Sequence, residues 1–295
     1  MMDYWLKYTD SVQSGQAKIS GSSTCLLRCG DRNGLRGRIK ILYLTVNTFF
    51  TKIRRKEDNL MVKMAFCVLS IVLLAAMVPG AAAGPDTKGG WAVIVIDVQP
   101  CFVEGGSLAV SGADDAYVAK VQRDTKWLYG NGYLIFGTRD YHPPDHISFA
   151  SNHPGHNLFE VIELPDGRHQ VLWPDHCIQT AGDSRMLVDN NLFFELVKKG
   201  QNPLFDSYSA FQDDGGAKTE LDSILQAKGV THLVVYGIAT DYCVYASVMD
   251  AVELGYSVTV VEDLIRGVAP ETSAAVIEEM KAAGVEFVPS VKKLK

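Results

Sequence analysis

Gly237-Ile238-Ala239-Thr240-Asp241-Tyr242-Cys243-Val244 is the stretch that decides how this chain folds. The apolar run before it, Leu233-Val234-Val235-Tyr236, has the make-up of a buried strand. After it, apolar residues at 244, 248, 251 and 252 recur at helical spacing up to the helix-stopping Gly255. Cys243 therefore stands where a strand hands over to a helix. Free N–H groups and the dipole at a helix start favour the thiolate, which is the nucleophilic form of cysteine. The same N–H groups can hold a developing oxyanion. A buried structural cysteine would suit the position equally well, so the rest of the chain must decide.

Working outward, further apolar runs end in residues that carry chemistry. Trp91-Ala92-Val93-Ile94-Val95-Ile96 reads as a strand buried on both faces and delivers Asp97-Val98-Gln99. Phe102 follows in an irregular loop, as a candidate pocket wall. Tyr133–Thr138 is the next such strand and delivers Arg139-Asp140-Tyr141-His142. Asp140 and His142 are two apart, so on an extended segment they point to one side and can share a cation. The third ligand falls most simply on His176, although spacing leaves His146, His153 and His156 open. One carboxylate and two imidazoles with open positions suit zinc, manganese or iron at a site that still binds substrate. The extended segment Asn191–Val197 leads into Lys198-Lys199-Gly200, where one lysine turned inward would approach Asp97 and Cys243. Pro203–Gly216 is a polar loop carrying Tyr208.

Helical patterns at Ala113–Tyr129, Thr219–Lys228, Val244–Leu254 and Pro270–Ala283 alternate with these strands and with Ser257–Glu262 and Val285–Val288. Alternation of this kind predicts a mostly parallel sheet with helices on both faces, a three-layer α/β/α domain over residues 91–295.

The lead is a different kind of sequence. Residues 1–63 hold 12 Lys and Arg against 5 Asp and Glu, leaving 16 against 29 of the whole-chain 28 and 34 for the remainder. The acidic body gives no electrostatic reason to expect nucleic-acid binding. Residues 1–63 read as a disordered basic lead. Met64–Ala83 is free of charge, follows several basic residues and ends in small residues, as a secretory signal does. Uncleaved, it is long enough to anchor the chain in a bilayer. Residues 84–90 form a polar linker. The body is thus expected in the secretory lumen or outside the cell, or in the cytoplasm if targeting differs. Of six cysteines, Cys101, Cys177 and Cys243 fall in the body. An odd number leaves at least one free thiol and does not suggest a disulfide framework.

Taken together, Asp97-Val98-Gln99, Thr138-Arg139-Asp140-Tyr141-His142, Leu172-Trp173-Pro174-Asp175-His176-Cys177, Lys199-Gly200, Tyr208-Ser209-Ala210-Phe211 and the Cys243 stretch resemble the isochorismatase-like cysteine hydrolases. The resemblance runs from about Gly90 to the C-terminus. Its metal motif points to the members that hydrolyse nicotinamide and pyrazinamide. It implies a catalytic triad of Asp97, Lys199 and Cys243, and metal ligands Asp140, His142 and His176 for one divalent ion, zinc first. It implies a cis peptide between Ile238 and Ala239, with the N–H groups of Ala239 and Cys243 facing the oxyanion. Phe102, Trp173 and Tyr208 would wall the pocket of a small-molecule substrate, and a homo-oligomer is compatible with the family. Pro100-Cys101 departs from the usual polar residues and would leave a second thiol near the site. The rival readings are another carboxamide or ureido hydrolase of the same fold, and an inactive secreted binding protein.

Overall fold

Two apolar runs pair side by side at the centre of the molecule because neither has a face it could give to water. The computed structural model describes residues 88–294, so the expectations for 1–63, 64–83 and most of the linker lie outside the described residues. In chain order the elements are β1 (Trp91–Ile96), α1 (Asp115–Gly130), β2 (Leu134–Asp140), β3 (Val161–Glu163), β4 (His169–Val171), β5 (Glu195–Lys199), α2 (Leu221–Ala227), β6 (His232–Ile238), α3 (Tyr245–Glu253), β7 (Ser257–Arg266), α4 (Pro270–Ala282) and β8 (Glu286–Val288). Six strands form one parallel sheet in the order β5-β2-β1-β6-β7-β8. β3 and β4 form a separate antiparallel hairpin that the sequence reading did not anticipate. No helix among the described residues is long and apolar enough to cross a membrane.

The strand order reverses between β1 and β6. From β1 the chain moves outward through β2 to β5; from β6 it moves the other way through β7 to β8. Right-handed crossovers on the two sides put their helices on opposite faces of the sheet. The central strands are consequently covered on both sides: Ala92 to Ile96 and Leu233 to Tyr236 are all inaccessible to solvent. That is why they read as unbroken apolar runs rather than alternating ones. A reversal of strand order also leaves a crevice at the C-terminal strand ends, where α/β proteins bind ligands.

Gly237 shows how closely the two central strands approach there. Its φ is +137°, and a Cβ on it would lie 2.0 Å from the Ile96 carbonyl oxygen. The pairing of β6 with β7 shifts register between Val235 and Gly237, so the end of β6 bends over the end of β1.

Several boundaries differ from the sequence reading. The segment expected extended over Asn191–Val197 opens with a short 3-10 turn at Asn190–Leu192, and the strand proper begins at Glu195. Asp189 accepts a hydrogen bond from the Asn191 N–H and so starts that turn. β7 runs on to Arg266. Ile94→Ala, at the middle of β1, should lower unfolding free energy by about 2–5 kcal/mol, as truncation of a buried branched side chain does; chemical denaturation reads this directly.

Candidate active site

The four adjacent strands β5, β2, β1 and β6 each bring one chemical group to the same edge. Lys199 is the last residue of β5 and pairs in register with Asp140, the last of β2. Asp97 follows the last residue of β1, and the turn after β6 carries Cys243. Alternation along β5 settles which lysine turns inward. Lys198 is exposed, whereas the Lys199 side chain is inaccessible to solvent.

The Lys199 ammonium touches every other charged group of the cluster. It lies 2.9 Å from Asp97 Oδ2, donates to Asp140 Oδ1 and to the Ser207 carbonyl (2.9 Å), and reaches Cys243 Sγ at 3.3 Å. Burial alone would lower its pKa, but Asp140 and Asp97 outweigh that and hold it well above the ordinary value. The Asp97 carboxyl is pushed up to about 6 by burial, against the pull of Lys199 and with Asp140 adding to the rise. Its Oδ1 accepts the Thr138 hydroxyl at 2.7 Å. Its Oδ2 faces the Lys199 ammonium as an ion pair. Asp97 holds φ +49°, a left-handed backbone that a non-glycine residue keeps only where its surroundings demand it.

Cys243 Sγ meets the Lys199 ammonium and lies in the field of the Asp97 carboxyl. Its turn is not an ordinary helix start: Thr240–Val244 is a π-helical turn, and α3 begins only at Tyr245. The Ile238–Ala239 peptide is cis. The Ala239 carbonyl accepts the N–H groups of both Tyr242 and Val244, which folds the turn back on itself. The expectation of a lowered thiol pKa fails here. Burial pushes Cys243 well above its ordinary value; Lys199 opposes this, while Asp97 and Asp140 reinforce it. One ammonium does not offset burial and two carboxylates, so the resting cysteine is a thiol beside a raised acid.

Asp140, His142 and His176 gather their ligand atoms within 4.8 Å of one another. His142 Nε2 lies 3.4 Å and His176 Nε2 3.8 Å from Asp140 Oδ2. His142 Nδ1 donates to the Gly200 carbonyl (3.0 Å) and His176 Nδ1 to that of Pro174 (2.7 Å). A carbonyl can only accept, so each Nδ1 carries its hydrogen and each neutral ring turns its Nε2 to the shared space. Burial would lower the His142 pKa, but Asp140 outweighs it and raises it, so an ion binding there would displace a proton from that ring. The His176 pKa falls to about 4 through burial and the neighbouring His142, which keeps the ring neutral as a ligand must be. Burial would raise the Asp140 carboxyl, but Lys199 and His142 outweigh it and hold it low. The donor set therefore fits a divalent ion. Gly200 permits the His142 pose, since a Cβ there would lie 2.3 Å from its ring. His146 stays out of the trio: its Nδ1 meets the Ser148 hydroxyl (2.7 Å) and its Nε2 the Phe205 carbonyl (3.1 Å). His153 bonds the Ile147 carbonyl and His156 bonds Glu160.

Phe102, Trp173 and Tyr208 line a cleft that Cys243, Ala239, Asp140 and His176 also face. The Trp173 indole N–H donates to the Tyr208 hydroxyl (3.1 Å). Tyr242, Leu108, Val110 and Val268 complete the apolar wall without having been singled out from sequence. Gln99 was likewise quoted in the sequence without a role. Its amide exchanges hydrogen bonds with the Asp140 backbone in both directions and so fixes that residue's place. Cys101 is not a second thiol: it forms a disulfide with Cys177, leaving Cys243 as the free cysteine among the described residues.

A family profile for the isochorismatase domain matches residues 183–290. The nicotinamidase of Escherichia coli K12 is 41% identical over 198 residues, 65% of this chain and 92% of the relative. A solved nicotinamidase/pyrazinamidase of Acinetobacter baumanii superposes with a TM-score of 0.65 at 36% identity, covering 71% of this chain and all of its own. A pyrazinamidase of Pyrococcus horikoshii, solved in complex with zinc, superposes at 0.57 with 33% identity over 68% of this chain and 98% of its own.

With Asp97 as the base that the resemblance implies, its carboxyl must be ionised to accept a proton, and its raised pKa would set the sign of the pH dependence. kcat/KM for hydrolysis of a small carboxamide should be level above about pH 6 and fall roughly tenfold per unit below it. Asp97→Asn should remove this acid limb together with the activity; an unchanged limb in that variant would assign it to another group.

Proposed function

The chain belongs to the nicotinamidase group of the isochorismatase family, and we propose that it hydrolyses nicotinamide to nicotinate and ammonia through a thioester on Cys243, as a step of NAD salvage. The observation that carries this reading is the single ammonium of Lys199, in contact with the Cys243 sulfur, the Asp97 carboxylate and a carboxylate of the metal-type trio.

Asp97 takes the Cys243 proton as the sulfur attacks the carboxamide carbon. Burial raises Asp97 to about 6, which makes it a stronger base, while the raised thiol relies on the Lys199 ammonium to support its anion. Lys199 stabilises the anionic sulfur during the attack. The N–H groups of Ala239 and Cys243 hold the oxyanion of the tetrahedral intermediate. Asp97 returns its proton to the departing nitrogen, which leaves as ammonia, and the acyl group remains on sulfur. The Asp97 carboxylate then takes a proton from water. The hydroxide so formed attacks the thioester and expels the Cys243 sulfur, which regains the proton. Asp140, His142 and His176 would hold a divalent ion, with zinc first; when bound, it supplies a Lewis-acidic contact for a ring nitrogen. Phe102, Trp173 and Tyr208 enclose the flat ring and exclude bulk water, so the carboxamide is presented to the sulfur in one orientation.

Met64–Ala83 retains its reading as an export signal or anchor. The Cys101–Cys177 disulfide supports it, since such bonds persist in oxidising compartments. N-terminal sequencing of the mature protein from producing cells should find a start shortly after Ala83; a cytoplasmic product beginning upstream would overturn export.

Cys243→Ala should reduce ammonia release from nicotinamide by roughly 10⁴-fold or more while leaving the fold intact, as removal of a covalent nucleophile does elsewhere. Measured beside pyrazinamide and ureido substrates, the same assay separates this activity from those of other carboxamide hydrolases. Retained activity in the variant would refute the nucleophile.

A further inference from the structure

The Cys101–Cys177 bond joins two segments that the fold alone would leave as separate loops. Both cysteines are wholly buried, and they are 76 positions apart in sequence. Each is next in sequence to a residue of the site. Phe102 follows Cys101, His176 precedes Cys177, and the two rings stand 5.5 Å apart.

Each cysteine also organises its own segment. The Cys101 carbonyl accepts the Leu108 N–H (2.9 Å) and the Phe102 carbonyl that of Val110 (2.9 Å). Phe102, Leu108 and Val110 all face the cleft, so this wall of the pocket is folded around Cys101. Cys177 holds both metal-type histidines. It is bonded to His176 through the chain, and its carbonyl accepts the backbone N–H of His142 at 3.1 Å. Its own N–H donates to Asp183 Oδ2 (2.9 Å), and its backbone lies in the left-handed region at φ +48°. A non-glycine residue keeps that conformation only where its surroundings over-determine it. The sulfur bridge, the Asp183 carboxylate and the His142 N–H on its carbonyl are the tethers that hold it there.

We propose that the disulfide is a positioning brace: through Cys177 it sets the two histidines for their ion, and through Cys101 it sets the apolar wall against which the substrate ring lies. This rests on reading Asp140, His142 and His176 as the holder of a divalent ion. A plain stabilising cross-link would raise the melting temperature without touching metal affinity or KM. The brace moves both.

The test compares the wild-type protein, C101A/C177A and Leu128→Ala. Leu128 is buried near the C-terminal end of α1, at the sheet edge opposite the site, and its truncation serves as a control for lost stability alone. Zinc affinity is measured against a competing chelator, and KM and kcat on nicotinamide with zinc saturating. For C101A/C177A the zinc Kd should rise roughly tenfold or more, as when the supports of metal ligands are removed, and KM should rise more than kcat falls. Leu128→Ala should keep both zinc Kd and KM within about twofold of wild type, as a distant, independent site would. A double variant matching wild type in zinc Kd and KM overturns the brace. A wild-type protein that fails to bind zinc, manganese or iron instead overturns the metal reading.

If the double variant does not fold, the wild-type protein is reduced with a water-soluble phosphine. The phosphorus gives two electrons to the S–S bond and takes oxygen from water, leaving two thiols that alkylation after denaturation counts. Reduced protein should show the same loss of zinc affinity although its Cys243 is still a thiol; unchanged affinity counts against the brace.

Discussion

A single buried ammonium sets the terms for the whole site. Moving the Lys199 charge out of water costs several kcal/mol, and the two carboxylates of Asp97 and Asp140 offset it. Removing one partner of such a cluster typically costs about 3–5 kcal/mol, because the charges left behind stay buried. The arrangement also divides labour between oxygens. Asp140 gives Oδ1 to the ammonium and turns Oδ2 toward the histidines. Asp97 anchors Oδ1 on Thr138 and turns Oδ2 to the ammonium. In the proposed mechanism, acid–base chemistry and metal holding would be two uses of one charge cluster.

The sheet makes this possible by topology. Strand order reverses between β1 and β6, and the strands contributing the four groups are neighbours at that reversal. Parallel strands all end at the same edge, so residues far apart in sequence meet without a special loop to carry them. Gly237 lets the end of β6 pass over β1 at a distance that no side chain would allow. Asp97 and the Cys243 turn are brought together at that crossing.

Much of this was legible in the residues. The central strands announced themselves because burial on both faces removes polar residues, and the chemistry stood where each apolar run stopped. Asp140 and His142 were readable as a pair because the period of an extended chain is two. His176 was chosen over His146, His153 and His156 by family resemblance. Spacing could not separate them, because the deciding fact is which ring nitrogens the surrounding carbonyls and hydroxyls already occupy. The inward turn of Lys199 rather than Lys198 depended on register with β2, a tertiary quantity. The disulfide escaped because pairing needs proximity across 76 residues. The thiol was misjudged because the local helix-start argument omitted two carboxylates brought in by other strands.

The distance along the chain between these groups has a consequence for biosynthesis. Asp97 and Cys243 are 146 positions apart, with Lys199 between them. A nascent polypeptide therefore emerges with its acid and its amine long before its sulfur. Contacts of such separation form late, after the loops between them have closed. No truncated or half-translated product holds the full set, so the appearance of turnover marks the moment at which the last central strand has docked.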